Sequence, residues 1–108
     1  MIEDPYENLA NAIIVQAATD YRANGKRWPQ MISKTEKAER NLEAATLTND
    51  EKIISRAKAR LGRAKEQLLM LDAEQNGIER FFRSEWFQLL TKADGDMILR
   101  KLQAEVRK

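Results

Sequence analysis

The stretch that decides the fold is Gly77–Leu102, GIERFFRSEWFQLLTKADGDMILRKL. It contains all three Phe residues of the chain and one of its two Trp residues, and these four aromatic side chains lie between positions 81 and 87. Aromatic side chains bury more apolar area than other residues do. We therefore expect the core to form around this stretch, with the other helices packed against it.

The composition indicates a single helix-rich domain over residues 1–108. Hydrophobic residues make up 43% of the chain and charged residues 33%, with 4 Gly and 2 Pro, as is typical of a soluble helical protein. No apolar run approaches the roughly 20 residues that a membrane span needs. The first five residues, MIEDP, are acidic and unlike a signal peptide. We expect a cytoplasmic protein with no membrane partner.

The chain contains no Cys and no His, which removes several kinds of chemistry. Without them it lacks a thiolate nucleophile, the commonest general base and the commonest ligands of transition metals. The turn Asp94-Gly95-Asp96 lacks the further oxygen ligands of a calcium loop, so it predicts a helix cap. We expect no catalytic residues, no metal site and no cofactor, and therefore no enzyme.

Apolar residues recur at spacings of three and four along most of the chain, which predicts an all-α fold. Cap and stop signals divide the pattern into about five helices: Asp4 and Pro5 start the first, Gly25 ends it, and Thr48 with Glu51 forms a capping box. The predicted ranges are 5–24, 29–46, 49–74, 78–92 and 96–107. The first helix and the last two should form a compact core.

Residues 28–75 are predicted to form an antiparallel helical hairpin, inserted between the core helices. Its second helix carries a narrow apolar seam at heptad spacing: Ile54, Ala57, Leu61, Ala64, Leu68 and Leu71. A thin, alanine-rich seam suits the close pairing of two helices within one chain. A competing interpretation is self-association through this seam, so a homo-oligomer stays open.

The second hairpin helix also carries a basic ridge. The cations along it are Lys52, Arg56, Arg60 and Arg63, with Lys58 and Lys65 on a second flank. Such a face could follow a phosphate backbone or meet a partner protein. The alternative is a solvated face whose charge is balanced across the hairpin by Glu36, Glu39 and Glu43. No base-reading helix-turn-helix pattern accompanies the ridge.

Two smaller groups pair cations with flat rings. Arg22, Arg27 and Trp28 lie near the end of the predicted first helix, where they suit either a nucleotide or an ordinary core edge. Arg83 and Trp86 lie within the aromatic stretch. Trp86 suits either a buried core position or an exposed contact residue for a partner, and four aromatic residues so close together cannot all face one way.

Two segments resemble small helical proteins encoded by phages and prophages of Gram-positive bacteria. The first is NLANAIIVQAATDYR at 8–22, and the second is IERFFRSEWF at 78–87, followed by Leu90-Thr91, Asp94-Gly95 and Leu99. Together they cover about half of the chain, and many of the similar proteins join them by a shorter connection. The resemblance implies a bacterial host cell, and it makes the hairpin an elaboration with an added basic surface.

These observations lead to one principal functional hypothesis and two alternatives. The principal one is a non-catalytic phage-encoded protein that occupies a host protein or ribonucleoprotein complex, such as an inhibitor of a bacterial defence system in the manner of anti-CRISPR proteins. The first alternative is a nucleic-acid-binding regulator that uses the basic hairpin. The second is a sponge for a nucleotide signal.

Overall fold

A computed structural model describes residues 5–106 of the chain. This range is all-α, as predicted, and it contains four helices rather than about five. They are α1 (Pro5–Thr46), α2 (Glu51–Phe82), α3 (Glu85–Leu90) and α4 (Gly95–Val106). The predicted cap at Asp4 lies outside the described residues. No helix in this range combines the length and the apolarity that a membrane crossing requires.

α1 does not end at Gly25 and restart at Pro29, as the sequence predicted, but continues through both. Gly25 is buried and has no positive φ, so it does not act as a left-handed stop. A Cβ at this position would lie 2.6 Å from Cγ2 of Val106, which is closer than packed atoms approach. Glycine at this position accommodates the packing of α4 against α1. The prediction that Gly25 ends the first helix was wrong.

α2 is also longer than predicted, because Asn76-Gly77 does not interrupt it. It begins at Glu51 with Asp50 as its cap: the Oδ1 atom of Asp50 accepts a hydrogen bond from the N–H of Lys52 at 3.0 Å. The predicted capping box of Thr48 is thus wrong. The hydroxyl of Thr48 instead donates to the carbonyl of Ala45 at 2.6 Å.

The predicted helix over 78–92 is divided at Arg83-Ser84. The Ser84 hydroxyl accepts a hydrogen bond from the N–H of Phe87 at 3.1 Å and donates to the carbonyl of Phe81 at 2.6 Å. The Ser84 side chain thus ends α2 and caps α3, so the chain changes direction between Phe82 and Trp86. Asp94 caps α4 in the predicted way, accepting from the N–H of Met97 at 3.3 Å.

The chain divides into two units, of which the first comprises the described residues up to Lys26 together with those from Glu74 onward. Its core draws on residues of all four helices. The buried members are Tyr21, Phe82, Phe87, Leu99 and Leu102. Met97 of α4 lies outside this core and is 54% exposed.

Polar side chains join α1 to α2 within this first unit. The Tyr21 hydroxyl donates to Oε1 of Glu79 at 2.9 Å, and the same oxygen accepts from Gln103 of α4 at 3.1 Å. Buried Asn24 donates to Gln75 at 3.2 Å, and Gln75 donates to the carbonyl of Tyr21 at 3.2 Å. These buried polar groups are satisfied, so they fix the register of the two helices at little cost.

The second unit, Arg27–Ala73, is an antiparallel pair formed by the later part of α1 and the earlier part of α2. Between them Asn49 adopts a positive φ of 56°, which asparagine tolerates better than most residues. The seam of this pair is narrow and made of small residues, as predicted. Its most buried members are Thr35, Ala45, Ala64 and Leu71.

Replacing Pro29 by Ala tests whether α1 is continuous. Proline inside a helix lacks the N–H that would bond to the carbonyl four residues earlier, here Gly25. We expect Pro29→Ala to raise the free energy of unfolding by about 1–3 kcal/mol, measured by chemical denaturation. A proline in the first turn of a separate helix would lose nothing, so an unchanged or lower stability contradicts a continuous α1.

Replacing Gly95 by Ala tests the closest approach in the first unit. A Cβ at this position would collide with the carbonyl oxygen of Phe82 and lie 3.0 Å from the Phe87 ring. We expect a loss of about 1–3 kcal/mol in the free energy of unfolding. Gly62→Ala is the matched control, because nothing lies within 4 Å of a Cβ there. It should gain about 0.5–1 kcal/mol, and equal effects at the two sites contradict the packing described.

Candidate functional site

The principal concave surface of the second unit is a groove of about 840 Å³ along the helical pair. We call it the basic groove, because five cationic residues line it: Lys34 and Lys37 from α1, and Arg56, Arg60 and Arg63 from α2. On each helix the lining residues recur at spacings of three and four, so one face of each helix forms a wall.

Among the described residues, no carboxylate lines the basic groove. Among residues 5–106, no ion pair joins its cations to Glu36, Glu39 or Glu43. The charge balance across the hairpin that the sequence allowed is therefore not formed. Within the described part of the second unit, the positive charge of the groove is left to solvent or to a partner.

The floor of the groove is made of small side chains, among them Ala38, Ala45, Ala57 and Ala64. Lys34 donates to the side-chain oxygen of Gln67 at 3.4 Å, which holds one cation at the end of the groove. A floor of alanine leaves room for the backbone of an incoming segment to approach closely. No aromatic residue lines the groove, so it offers no platform for stacked bases.

The structure separates the six cations of the predicted ridge. Arg56, Arg60 and Arg63 lie on the groove, whereas Lys52, Lys58 and Lys65 are exposed and do not line it. Sequence reasoning missed Lys34 and Lys37 because they belong to the other helix. The signal was present in the sequence: counting back from the turn near Thr48, antiparallel pairing places both residues opposite Arg60 and Arg63.

Arg22 of the first unit is engaged with Glu105. Its Nε lies 2.6 Å from Oε2 of Glu105, and both side chains are about half exposed. The hydrogen bond and the negative charge of Glu105 hold the pKa of Arg22 above its usual value. Neighbouring Tyr21 is only 5% exposed. The Tyr21 ring is therefore not available to stack on a nucleotide base. The nucleotide hypothesis would favour such stacking.

Arg27 and Trp28 begin the second unit. Arg27 is exposed and Trp28 is half-buried. Within the described part of that unit, Trp28 makes no ring contact and its indole N–H has no hydrogen-bond acceptor. A half-buried ring next to a solvated cation remains consistent with both interpretations made from the sequence.

Trp86 is the exposed member of the aromatic group in the first unit. Phe82 and Phe87 are buried, whereas Trp86 is 54% exposed. The ring of Trp86 meets Phe81 edge-on, with centroids 5.5 Å apart. Arg83 lies 3.6 Å from the carboxylate of Asp96, in a pair that solvent screens on both sides. Both predicted contact residues are thus about half exposed.

The described residues contain no group of three or more His, Cys, Asp or Glu side chains placed to hold a metal ion. Comparisons with protein-family models, with curated proteins and with solved structures find no significant match to this chain.

The cations of the basic groove should repel one another, and salt should relieve that repulsion. Arg56 and Arg60 lie four positions apart, where like charges cost about 0.2–0.5 kcal/mol per pair. The Debye length falls from about 30 Å at 0.01 M salt to about 10 Å at 0.1 M. We expect the thermal midpoint to rise with salt over this range, as measured by circular dichroism.

Two triple variants separate this effect from a general effect of salt. Arg56→Gln, Arg60→Gln and Arg63→Gln together should reduce the dependence on salt. Lys52→Gln, Lys58→Gln and Lys65→Gln together remove equal charge outside the groove and should reduce it less. An equal reduction in both variants shows that the groove carries no special repulsion.

Proposed function

We propose that this protein is a non-catalytic binding protein whose basic groove captures an acidic, helix-forming segment of a partner protein. The observation that carries the proposal is a groove with five cations on its walls and no carboxylate. A surface with one sign of charge attracts and orients a partner of the opposite sign.

The spacing of the arginines favours a helical partner. Arg56, Arg60 and Arg63 are related as i, i+4 and i+7 on α2, which spans about 10.5 Å at 1.5 Å per residue. Carboxylates at the same spacing on a second helix would meet them in register. Arginine and carboxylate form bidentate hydrogen bonds that are stronger than neutral ones. Each matched pair therefore adds both affinity and orientation.

The alanine floor favours a helix over a nucleic-acid strand. Small side chains let a third helix settle between two others, its ridge in their groove. A partner helix that is amphipathic would place apolar residues on this floor and carboxylates against the walls. A nucleic acid has phosphates for the walls, but the aromatic platform that usually holds single-stranded bases does not line the groove.

The resemblance to phage and prophage proteins supplies the context of the proposal. The partner would belong to the bacterial host, as a component of a defence complex or of a nucleic-acid-processing complex. Binding would act by occupation: the groove would cover a surface that the partner needs elsewhere. Such a mechanism needs no nucleophile, no general base and no cofactor.

A capture experiment from bacterial host lysate tests the proposal. We expect the tagged wild-type protein to retain a stoichiometric protein partner after nuclease treatment, identified by mass spectrometry. Replacing Arg56, Arg60 and Arg63 by Glu should abolish retention without lowering the thermal midpoint, because these side chains have no ion pair to lose among residues 5–106. Replacing Lys52, Lys58 and Lys65 by Glu is the matched control, and it should retain the partner.

Other outcomes redirect or reject the proposal. Retention that disappears with nuclease assigns the groove to nucleic acid, and a steep loss of that binding between low and moderate salt would identify phosphate contacts. Retention that survives reversal of the three arginines rejects the groove as the contact surface. Equal loss in both triple variants shows that net charge, and not the groove, determines binding.

A further inference from the structure

The first unit carries a second concave surface, which differs in character from the basic groove. It is an open apolar cleft of about 400 Å³ lined by α1 and α2 and by Trp86 of α3. Its apolar walls include Ile13, Ile78 and Phe81. We call it the Trp86 cleft. Leu9, one helical turn before Ile13, is 60% exposed and extends the apolar wall along α1.

The charged residues that line the Trp86 cleft are both carboxylates, Asp20 from α1 and Glu74 from α2. Asp20 accepts a hydrogen bond from Gln16 at 2.8 Å. Glu74 makes no hydrogen bond or ion pair with any residue in the range 5–106. Within the part of the first unit that the structure describes, no cation lines the cleft. Its two negative charges are therefore uncompensated by the walls around them.

Trp86 adds a third element of recognition. Its ring is held by edge contact with Phe81, yet more than half of its surface stays in solvent. The indole face attracts cations more strongly than the ring of any other residue. An ordered ring also loses little conformational freedom when a ligand settles on it. An exposed indole and two carboxylates that line one cleft therefore match a cation that carries an apolar stem.

We propose that the Trp86 cleft binds an arginine or lysine side chain presented by an amphipathic segment of a partner protein. The cationic head would lie at Asp20 and Glu74, and its apolar stem with an apolar neighbour would cover the Trp86 ring, Ile13 and Leu9. The charge complementarity selects the cation, and the length of the apolar wall selects a segment rather than a lone ion. This inference does not depend on the function proposed for the basic groove.

Gly77 offers a direct way to block the cleft. It lies inside α2 and lines the cleft, and nothing lies within 4 Å of a Cβ built there. A side chain at this position therefore enters the cleft and not the core. Because leucine also favours helix over glycine, Gly77→Leu should fill the cleft without loss of thermal stability.

The probe is an alanine-based helical peptide of about 16 residues that carries Leu and Arg four positions apart on one face. Its control peptide has citrulline in place of Arg, which keeps the shape and removes the charge. Binding is followed by tryptophan fluorescence in Trp28→Phe protein, where Trp86 is the single reporter, and by calorimetry. We expect the Arg peptide to bind at least about tenfold more tightly than the citrulline peptide.

Three variants complete the test. Asp20→Asn with Glu74→Gln should weaken the Arg peptide by at least about tenfold, and Gly77→Leu should abolish its binding. Glu36→Gln with Glu39→Gln, which removes two carboxylates outside the cleft, should leave binding unchanged. Thermal midpoints confirm that each variant is folded.

Several results would overturn the inference. They are no binding of the Arg peptide at millimolar concentration, equal binding of the two peptides, or equal binding to the Asp20 and Glu74 double variant. Sedimentation could supply one more such result. A dimer that shields Trp86 from solvent, and that Gly77→Leu dissociates, would assign the cleft to a second copy of the chain.

Discussion

The contact between the start of α4 and the end of α2 constrains how the first unit packs. At Gly95 there is no room for a Cβ, because the carbonyl oxygen of Phe82 and the ring of Phe87 already occupy that space. The contact is possible because Ser84 ends α2 and caps α3 within three residues. Phe82 and Phe87 can therefore both turn inward, while Trp86 remains on the surface.

Local signals predicted part of this arrangement. The all-α class, the helix cap at Asp94 and the small-residue seam ending at Leu71 follow from spacing and side-chain chemistry within a few residues. Gly25, Pro29 and Gly77 misled the prediction because local rules treat them as helix breakers. Gly25 is in fact required by Val106, which lies far away in sequence, and no local pattern contains that information.

The candidate sites were predictable to different degrees. The run of cations on α2 was visible in the sequence. Which of these cations line the groove and which face outward depends on how α1 and α2 are aligned in the pair. Lys34 and Lys37 enter the site only through that alignment. The Trp86 cleft was less accessible, because Asp20 and Glu74 are far apart in sequence and meet only when α1 packs against α2.

Each unit thus presents a concave surface of its own, and the two surfaces have opposite charge. Nuclear magnetic resonance tests most directly whether the basic groove binds an acidic helix. The measurement is a titration of ¹⁵N-labelled protein with a helical peptide carrying Glu at i, i+4 and i+7. We predict shifts concentrated at Lys34, Ala38, Arg56, Arg60 and Ala64. Shifts that are absent, or that centre on residues outside the groove, would contradict the account.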